Sequence, residues 1–176
     1  MKDKLNLGSG PDYREDYINL DMGNKDYKWR PIKTDINHDM NSLPYPFEDK
    51  QFSKIIMFES LQYIKDIDKF LAELNRISKP GAIIKFTVPY FSFSGTYKEF
   101  SIHKFCLNHN QLFFCFKKNG FKIISKGFKN NNKFIKWIPS IINSSNLSQN
   151  VYERFLSGIL PVNRVFWNIK KVGDIT

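Results

Sequence analysis

Leu5-Asn6-Leu7-Gly8-Ser9-Gly10-Pro11, with Tyr17-Ile18-Asn19-Leu20-Asp21 close behind it, is the stretch that decides the fold. A short apolar run ends in a Gly-x-Gly turn, and a second run ends in an acid. Glycines remove the Cβ that would keep a ligand off the backbone. An acid at the tip of the next strand can accept hydrogen bonds from two ribose hydroxyls. Strand, glycine turn, strand and acid together suit a nucleotide-like ligand. A full helix does not fit between the two runs, so the first crossover is abbreviated.

Downstream, strands and helices alternate. A short strand is expected near Ile32–Ile36. The stretch Asp39–Asp49 holds Pro44 and Pro46, which exclude a helix interior or a central strand, so it reads as an ordered loop. Lys54–Phe58 is short, apolar and bounded by polar residues, the pattern of a buried strand. Between Asp66 and Ser78, Ile67, Phe70, Leu71, Leu74 and Ile77 recur at helical spacing, with Asp66 as N-cap and Lys79-Pro80-Gly81 as the stop. Ala82–Val88 reads as a strand, Tyr90–Phe100 as an aromatic loop, Asn108–Lys118 as a helix closed by Asn119-Gly120, and Phe121–Ser125 as a strand. Tyr152–Leu160 has a helical pattern. Val162–Val172 fits a strand or a helix, and pattern alone does not choose. The alternation argues an α/β fold with a doubly wound, mostly parallel sheet of about six to seven strands.

The chain has 176 residues, the length of one domain. We divide it into a core, 1–128, and a basic C-terminal extension or lid, 129–176. The net charge of +10 is unevenly placed: residues 1–99 hold 15 basic and 15 acidic residues, whereas residues 100–176 hold 12 and 2. Such a half can meet RNA, dock on an anionic membrane surface, or form a solvated lid over the sheet. Cys106 and Cys115 fit neither a redox pair nor a zinc site, so a reduced, cytoplasmic setting is expected. Met1–Lys4 leads straight into a strand, so no signal peptide is expected, and no apolar run approaches the roughly 18 residues of a membrane span. No His, Cys and Asp cluster has metal-ligand spacing, and no metal is expected.

Five segments in order carry a resemblance. They are Leu5–Gly10; Asn19-Leu20-Asp21; Asp39-Met40 ahead of Leu43-Pro44 and Pro46-Phe47; Phe52–Ile56; and Ile77–Ala82 before a strand ending in Val88-Pro89. Over residues 4–125 the chain resembles the class I S-adenosylmethionine-dependent methyltransferases. It is most similar to small Rossmann-like members with a shortened first loop, often associated with glycan biosynthesis. The resemblance implies S-adenosylmethionine as cofactor. It implies that Asn6, Gly8, Ser9 and Gly10 line the methionyl part, that Asp21 holds the ribose, and that Asp39 and Met40 meet the adenine. Phe58 and Glu59 would lie beside the transferred methyl group, with Glu59 as a candidate catalytic residue. His103 would be the base that takes an acceptor proton, with Tyr90 and Tyr97 beside it at the substrate mouth. The implied reaction is methyl transfer to a small-molecule or glycan-type acceptor, at oxygen. Relatives often carry an acid at the position of Asn6, and a Glu-His pair at Gln62 and Tyr63. These departures leave a non-catalytic cofactor-binding module as one alternative. An RNA methyltransferase using the basic half is another.

Overall fold

A computed structural model of the protein describes residues 2–23, 31–89, 109–129, 142–143 and 164–173. Leu5 and Leu7 alternate with Asn6 and are fully buried, so β1 (Lys4–Leu7) takes the centre of the sheet. β2 (Ile18–Asp21), β3 (Ile36–Asn37), β4 (Phe52–Phe58) and β5 (Ser78–Pro89) join it in parallel. β6 (Phe121–Lys129) and β7 (Arg164–Lys171) complete seven strands in the order β3-β2-β1-β4-β5-β7-β6. β7 runs antiparallel to both its neighbours. Order reverses on either side of β1 and β4, which is the switch point where an open α/β sheet leaves a crevice beyond its strand ends.

Both described α-helices cover one face. α1 (Ile67–Ile77) buries Phe70, Leu71, Leu74 and Ile77. Asp66 caps it by accepting the Lys69 amide at 3.0 Å. The other end is held from β7, on the same face of the sheet: Lys171, 1% exposed, donates from Nζ to the carbonyls of Asn75 and Ser78 at 2.8 and 3.1 Å. A cation on the last carbonyls of a helix meets its negative end. α2 (His109–Lys118) ends at Gly120 (φ +77°) and brings Phe116 to 5.5 Å from both Phe86 of β5 and Trp167 of β7. Period-2 burial of Val165, Trp167, Ile169 and Lys171 makes residues 164–171 a strand. That strand lies between β5 and β6, so a boundary at 128 divides neighbouring strands of one sheet.

Three boundaries differ from the sequence reading. β3 is two residues long and begins at Ile36, since residues 32–35 serve as a loop whose Asp35 is turned onto Asn19. The stop signal after α1 lies inside β5. Ser78 pairs with Phe52 but Ile83 pairs with Lys54, so residues 79–82 bulge out, with Gly81 at φ +81°. β6 runs on to Lys129 because β7 supplies partners as far as Arg164. The helix expected over 152–160 and the aromatic loop lie outside the described residues.

The proline loop is anchored to α1 by charge. Glu73, buried, accepts the Tyr45 amide at 2.7 Å and pairs with Arg76 at 2.6 Å. Arg76 also reaches Asp49 at 2.7 Å and the carbonyls of Phe47 and Tyr45. The Glu73 bond, then Asp49, push the Arg76 guanidinium further up, against its partial burial. Leu43–Pro44 is a cis peptide.

Candidate active site

The turn after β1 is held on both sides. Gly8 and Ser9 donate their amides to Leu20 O at 2.9 and 3.2 Å. Ser60 Oγ donates toward the carbonyls of Gly8 and Phe58, both at 3.0 Å. Gly8 and Gly10 both have positive φ, +65° and +50°, but their surroundings differ. A Cβ on Gly8 would stand 2.7 Å from Met40 Sδ and from Ser60 Cβ, so packing requires that glycine. Among the described residues, a Cβ on Gly10 would meet nothing within 4 Å. The chain therefore keeps a glycine facing open space, where a ligand can approach the backbone. Ser9 Oγ is buried and has no hydrogen-bond partner among the described residues.

Asp21 ends β2 beside this space. Its Oδ2 accepts the Gly10 amide at 2.8 Å and its Oδ1 the Gly23 amide at 2.9 Å. Each carboxylate oxygen keeps a lone pair, so a pre-aimed carboxylate can still receive two hydroxyls. Asp39 follows β3. Its Oδ1 accepts the Asn41 amide at 2.9 Å, and its carbonyl accepts the Ser42 amide. It is a turn-forming residue just beyond β3. Met40 packs on the core and on Gly8, and its carbonyl accepts the Tyr45 hydroxyl at 2.8 Å.

Asn6 does structural work. It is 2% exposed, and its amide nitrogen donates to Asp12 O at 2.7 Å and Asn19 Oδ1 at 3.1 Å. Asn19, fully buried, bonds the Arg14 backbone at both its amide and carbonyl and donates from Nδ2 to Asp35 Oδ2 at 2.9 Å. Tyr13 then donates to Asp35 Oδ1 at 2.8 Å. This network replaces the missing first helix and fixes the loop beneath the glycine turn. Burial works to raise the Asp35 carboxyl, but hydrogen bonds from the Asn19 side chain and backbone, then Tyr13 and the Lys2 ammonium, outweigh it and hold it below the usual range. The bond to Asp35 pushes the Tyr13 hydroxyl up. Asn19 and Ser60 were missed in the sequence, where each is an ordinary polar residue beside an apolar run.

Beyond β4 the backbone is strained: Glu59 has φ +57°, a conformation rare for a residue with a Cβ. Its amide donates to Thr87 O at 2.8 Å and its carbonyl accepts Gln62 Nε2 at 2.7 Å. Glu59 Oε1 lies 3.1 Å from Arg164 Nε, an ion-pair distance without hydrogen-bond alignment. Gln62 Oε1 is buried without a hydrogen-bond partner among the described residues. Phe58 carries the Arg14 guanidinium over its ring at 5.4 Å. Asn6, Gly8, Ser9, Gly10, Asp21, Asp39, Met40, Phe58 and Glu59 thus gather at the ends of β1, β2, β3 and β4. Tyr90, Tyr97 and His103 lie outside the described residues. Among the described residues, no group of His, Cys, Asp and Glu could hold a metal ion.

Comparison with known proteins completes this geometry. Residues 12–86 match the family described as "Methyltransferase domain". Over those residues the chain is similar to that methyltransferase family. Its fold is shared with a methyltransferase from Archaeoglobus fulgidus (TM-score 0.64, 15% identity, 96% of this chain and 85% of that one). It is also shared with one from Mesorhizobium loti (TM-score 0.61, 11% identity, 95% and 89%). A geranyl diphosphate methyltransferase solved with S-adenosylmethionine has it too (TM-score 0.62, 12% identity, 96% and 77%). No curated protein matches the chain significantly in sequence. The residues at this turn would fit S-adenosylmethionine: a glycine opening on free space, a hydroxyl at Ser9 that is buried and unpartnered among the described residues, and an aimed acid at Asp21. No helix among the described residues is long and apolar enough to cross a membrane.

Proposed function

We propose that this methyltransferase moves the methyl group of S-adenosylmethionine to an oxygen of a small-molecule or glycan-type acceptor, in the cytoplasm. The observation that carries the cofactor half of the reading is the Asp21 carboxylate, held by the Gly10 and Gly23 amides beside the open side of Gly10. The cofactor supplies a methyl group already activated by a sulfonium. The chain's own tasks are therefore to bind, to orient and to exclude water. Asp21 takes the ribose hydroxyls, Asp39 and Met40 the adenine, and Gly8, Ser9 and Gly10 the methionyl part. Asn6 acts through Asn19 and Arg14 as a positioning residue for the loop. Glu59 and Phe58 face the transfer region, and the strained backbone at Glu59 fixes the carboxylate there. Tyr90, Tyr97 and His103 are assigned to the acceptor side, with His103 removing the hydroxyl proton. In single-turnover assays with an accepting hydroxyl compound, His103→Gln should lower the methylation rate and leave S-adenosylhomocysteine affinity unchanged. Loss of cofactor affinity instead would remove His103 from this role.

A second reading is a cofactor-binding module without turnover. It is favoured by Gln62 and Tyr63 at positions where relatives carry a Glu-His pair, and by an Arg164 ion pair that occupies Glu59. S-adenosylhomocysteine accumulating with any hydroxyl acceptor, above the acceptor-free rate, would exclude that reading.

A further inference from the structure

Strand register places a row of cations across the sheet face opposite α1 and α2. Lys4 of β1 pairs with Lys54 of β4, Lys54 with Ile83 of β5, Ile83 with Lys170 of β7, and Lys170 with Lys122 of β6. Directly paired residues share a face. Ile55 and Ile84, the next pair along the same ladder, point the other way into the core. Lys85, two residues along β5, adds a fifth ammonium on the lysine face. Lys122 and Lys170 are exposed, and Lys4, Lys54 and Lys85 are half-buried. Lys4 and Lys54 also stand over the Tyr17 ring at 5.7 and 5.8 Å. No residue of β1, β4, β5, β7 or β6 on this face is acidic. Among the described residues, the ion pair of Lys4 is a long one, to exposed Asp16 at 3.9 Å. Three of these five lysines, Lys4, Lys54 and Lys85, come from the half of the chain whose charges sum to zero, so counting along the sequence does not find the row.

We propose that this face binds single-stranded nucleic acid, with phosphates along Lys4, Lys54, Lys170 and Lys122. The inference goes beyond methyl transfer and does not depend on it. Five strands at ~4.8 Å spacing make the row roughly 19 Å long. Each strand is rotated about 20–25° from the next, so the row follows a twisted saddle. A flexible phosphodiester chain can track such a surface, whereas a flat bilayer touches only part of it. Among the described residues, the exposed aromatics suited to bilayer contact are elsewhere: Phe113 and Phe114, 40% and 67% exposed, lie on α2, across the sheet from the lysines. Phosphate contacts from lysines, without base readout, predict binding without sequence preference.

The test is fluorescence anisotropy of a labelled oligouridine of about 20 nucleotides with the full chain, in low and in fourfold higher salt. Four phosphate contacts on a single strand predict a roughly 50-fold loss of affinity between 50 and 200 mM salt. The triple variant Lys54→Gln/Lys122→Gln/Lys170→Gln should bind more weakly at 50 mM and lose only about threefold over the same range. A variant with the same charge change away from this face, Lys65→Gln/Lys69→Gln/Lys117→Gln, should keep most of the wild-type affinity and slope. Unchanged thermal melting of both variants makes the comparison valid, and Lys122→Gln/Lys170→Gln, both exposed, replaces the triple variant if it melts early. Three outcomes overturn the proposal: no oligonucleotide binding in 50 mM salt; equal loss in the two variants; or binding to phosphatidylserine vesicles that the face variant abolishes while oligonucleotide binding persists.

Discussion

Gly8 and Gly10 have similar backbone conformations and different reasons for being glycine. An Ala at either position adopts a left-handed φ, which costs about 1–2 kcal/mol. At Gly8 the new methyl would also meet Met40 and Ser60 at 2.7 Å, whereas at Gly10 it enters open space. Gly8→Ala should therefore lower the melting temperature well beyond Gly10→Ala. Gly10→Ala should instead show its larger effect on S-adenosylhomocysteine affinity, because its methyl stands in the space we propose for the cofactor. Paired melting curves and titrations of the two variants check this. Asp66 provides a pH prediction. The Lys69 amide, outweighing desolvation, and then the Lys69 side chain hold its carboxyl below the usual range. A depressed folded value means that its stabilisation is complete above the unfolded value, about 3.9, and lost as pH falls through the folded value. Asn caps a helix as well as Asp but does not titrate. The melting-temperature advantage of the wild type over Asp66→Asn should thus shrink as pH falls from 5 toward 2. An advantage constant with pH would contradict the assignment.

Elements were legible where one force dominated. β1, β2, β4 and α1 announce themselves through apolar runs of the right period, and their bounds agree with the structure to within a residue or two. β3 was misplaced because its two residues are set by Asn19 and Asp35 outside the strand, a contact no local pattern encodes. The start of β5 was missed because Pro80 and Gly81 read as a stop, while the ladder with β4 absorbs them in a bulge. β7 stayed ambiguous because the pattern over Val162–Val172 fits a strand or a helix, and only the alternating burial in the folded sheet decides for a strand. At the site, the glycines and acids were legible because their chemistry is tied to position. The Asn6–Asn19–Asp35 network was not, since amides become informative only when burial is known. Lys171 belongs to this scale as well. Replacing it by Met removes two hydrogen bonds to carbonyls at the end of α1 and should destabilise the fold by about 1–3 kcal/mol, read from urea unfolding.

For the molecule as a whole, β7 ties the C-terminal region into the sheet. Trp167 is fully buried, edge-on to Phe116, and paired with Phe86 across the ladder. Trp167→Ala should cost about 3–5 kcal/mol, a large share of the roughly 5–15 kcal/mol that a domain has. Loss of that size in denaturant unfolding would show that residues 164–171 belong to the same cooperative unit as the cofactor crevice. A near-wild-type curve would contradict it. The doubly wound sheet places the crevice beyond β1, β2 and β4, and the described residues proposed to hold the cofactor lie at or just beyond these strand ends and that of β3. The most direct measurement is isothermal titration of the wild type and of Asp21→Ala with S-adenosylhomocysteine. Saturable one-site binding that weakens at least about tenfold in Asp21→Ala, measured well below the melting temperature of the variant, is the expected result. No binding to the wild type at ligand on the order of 1 mM, or equal affinity of the two proteins, would contradict the placement of the cofactor at this turn.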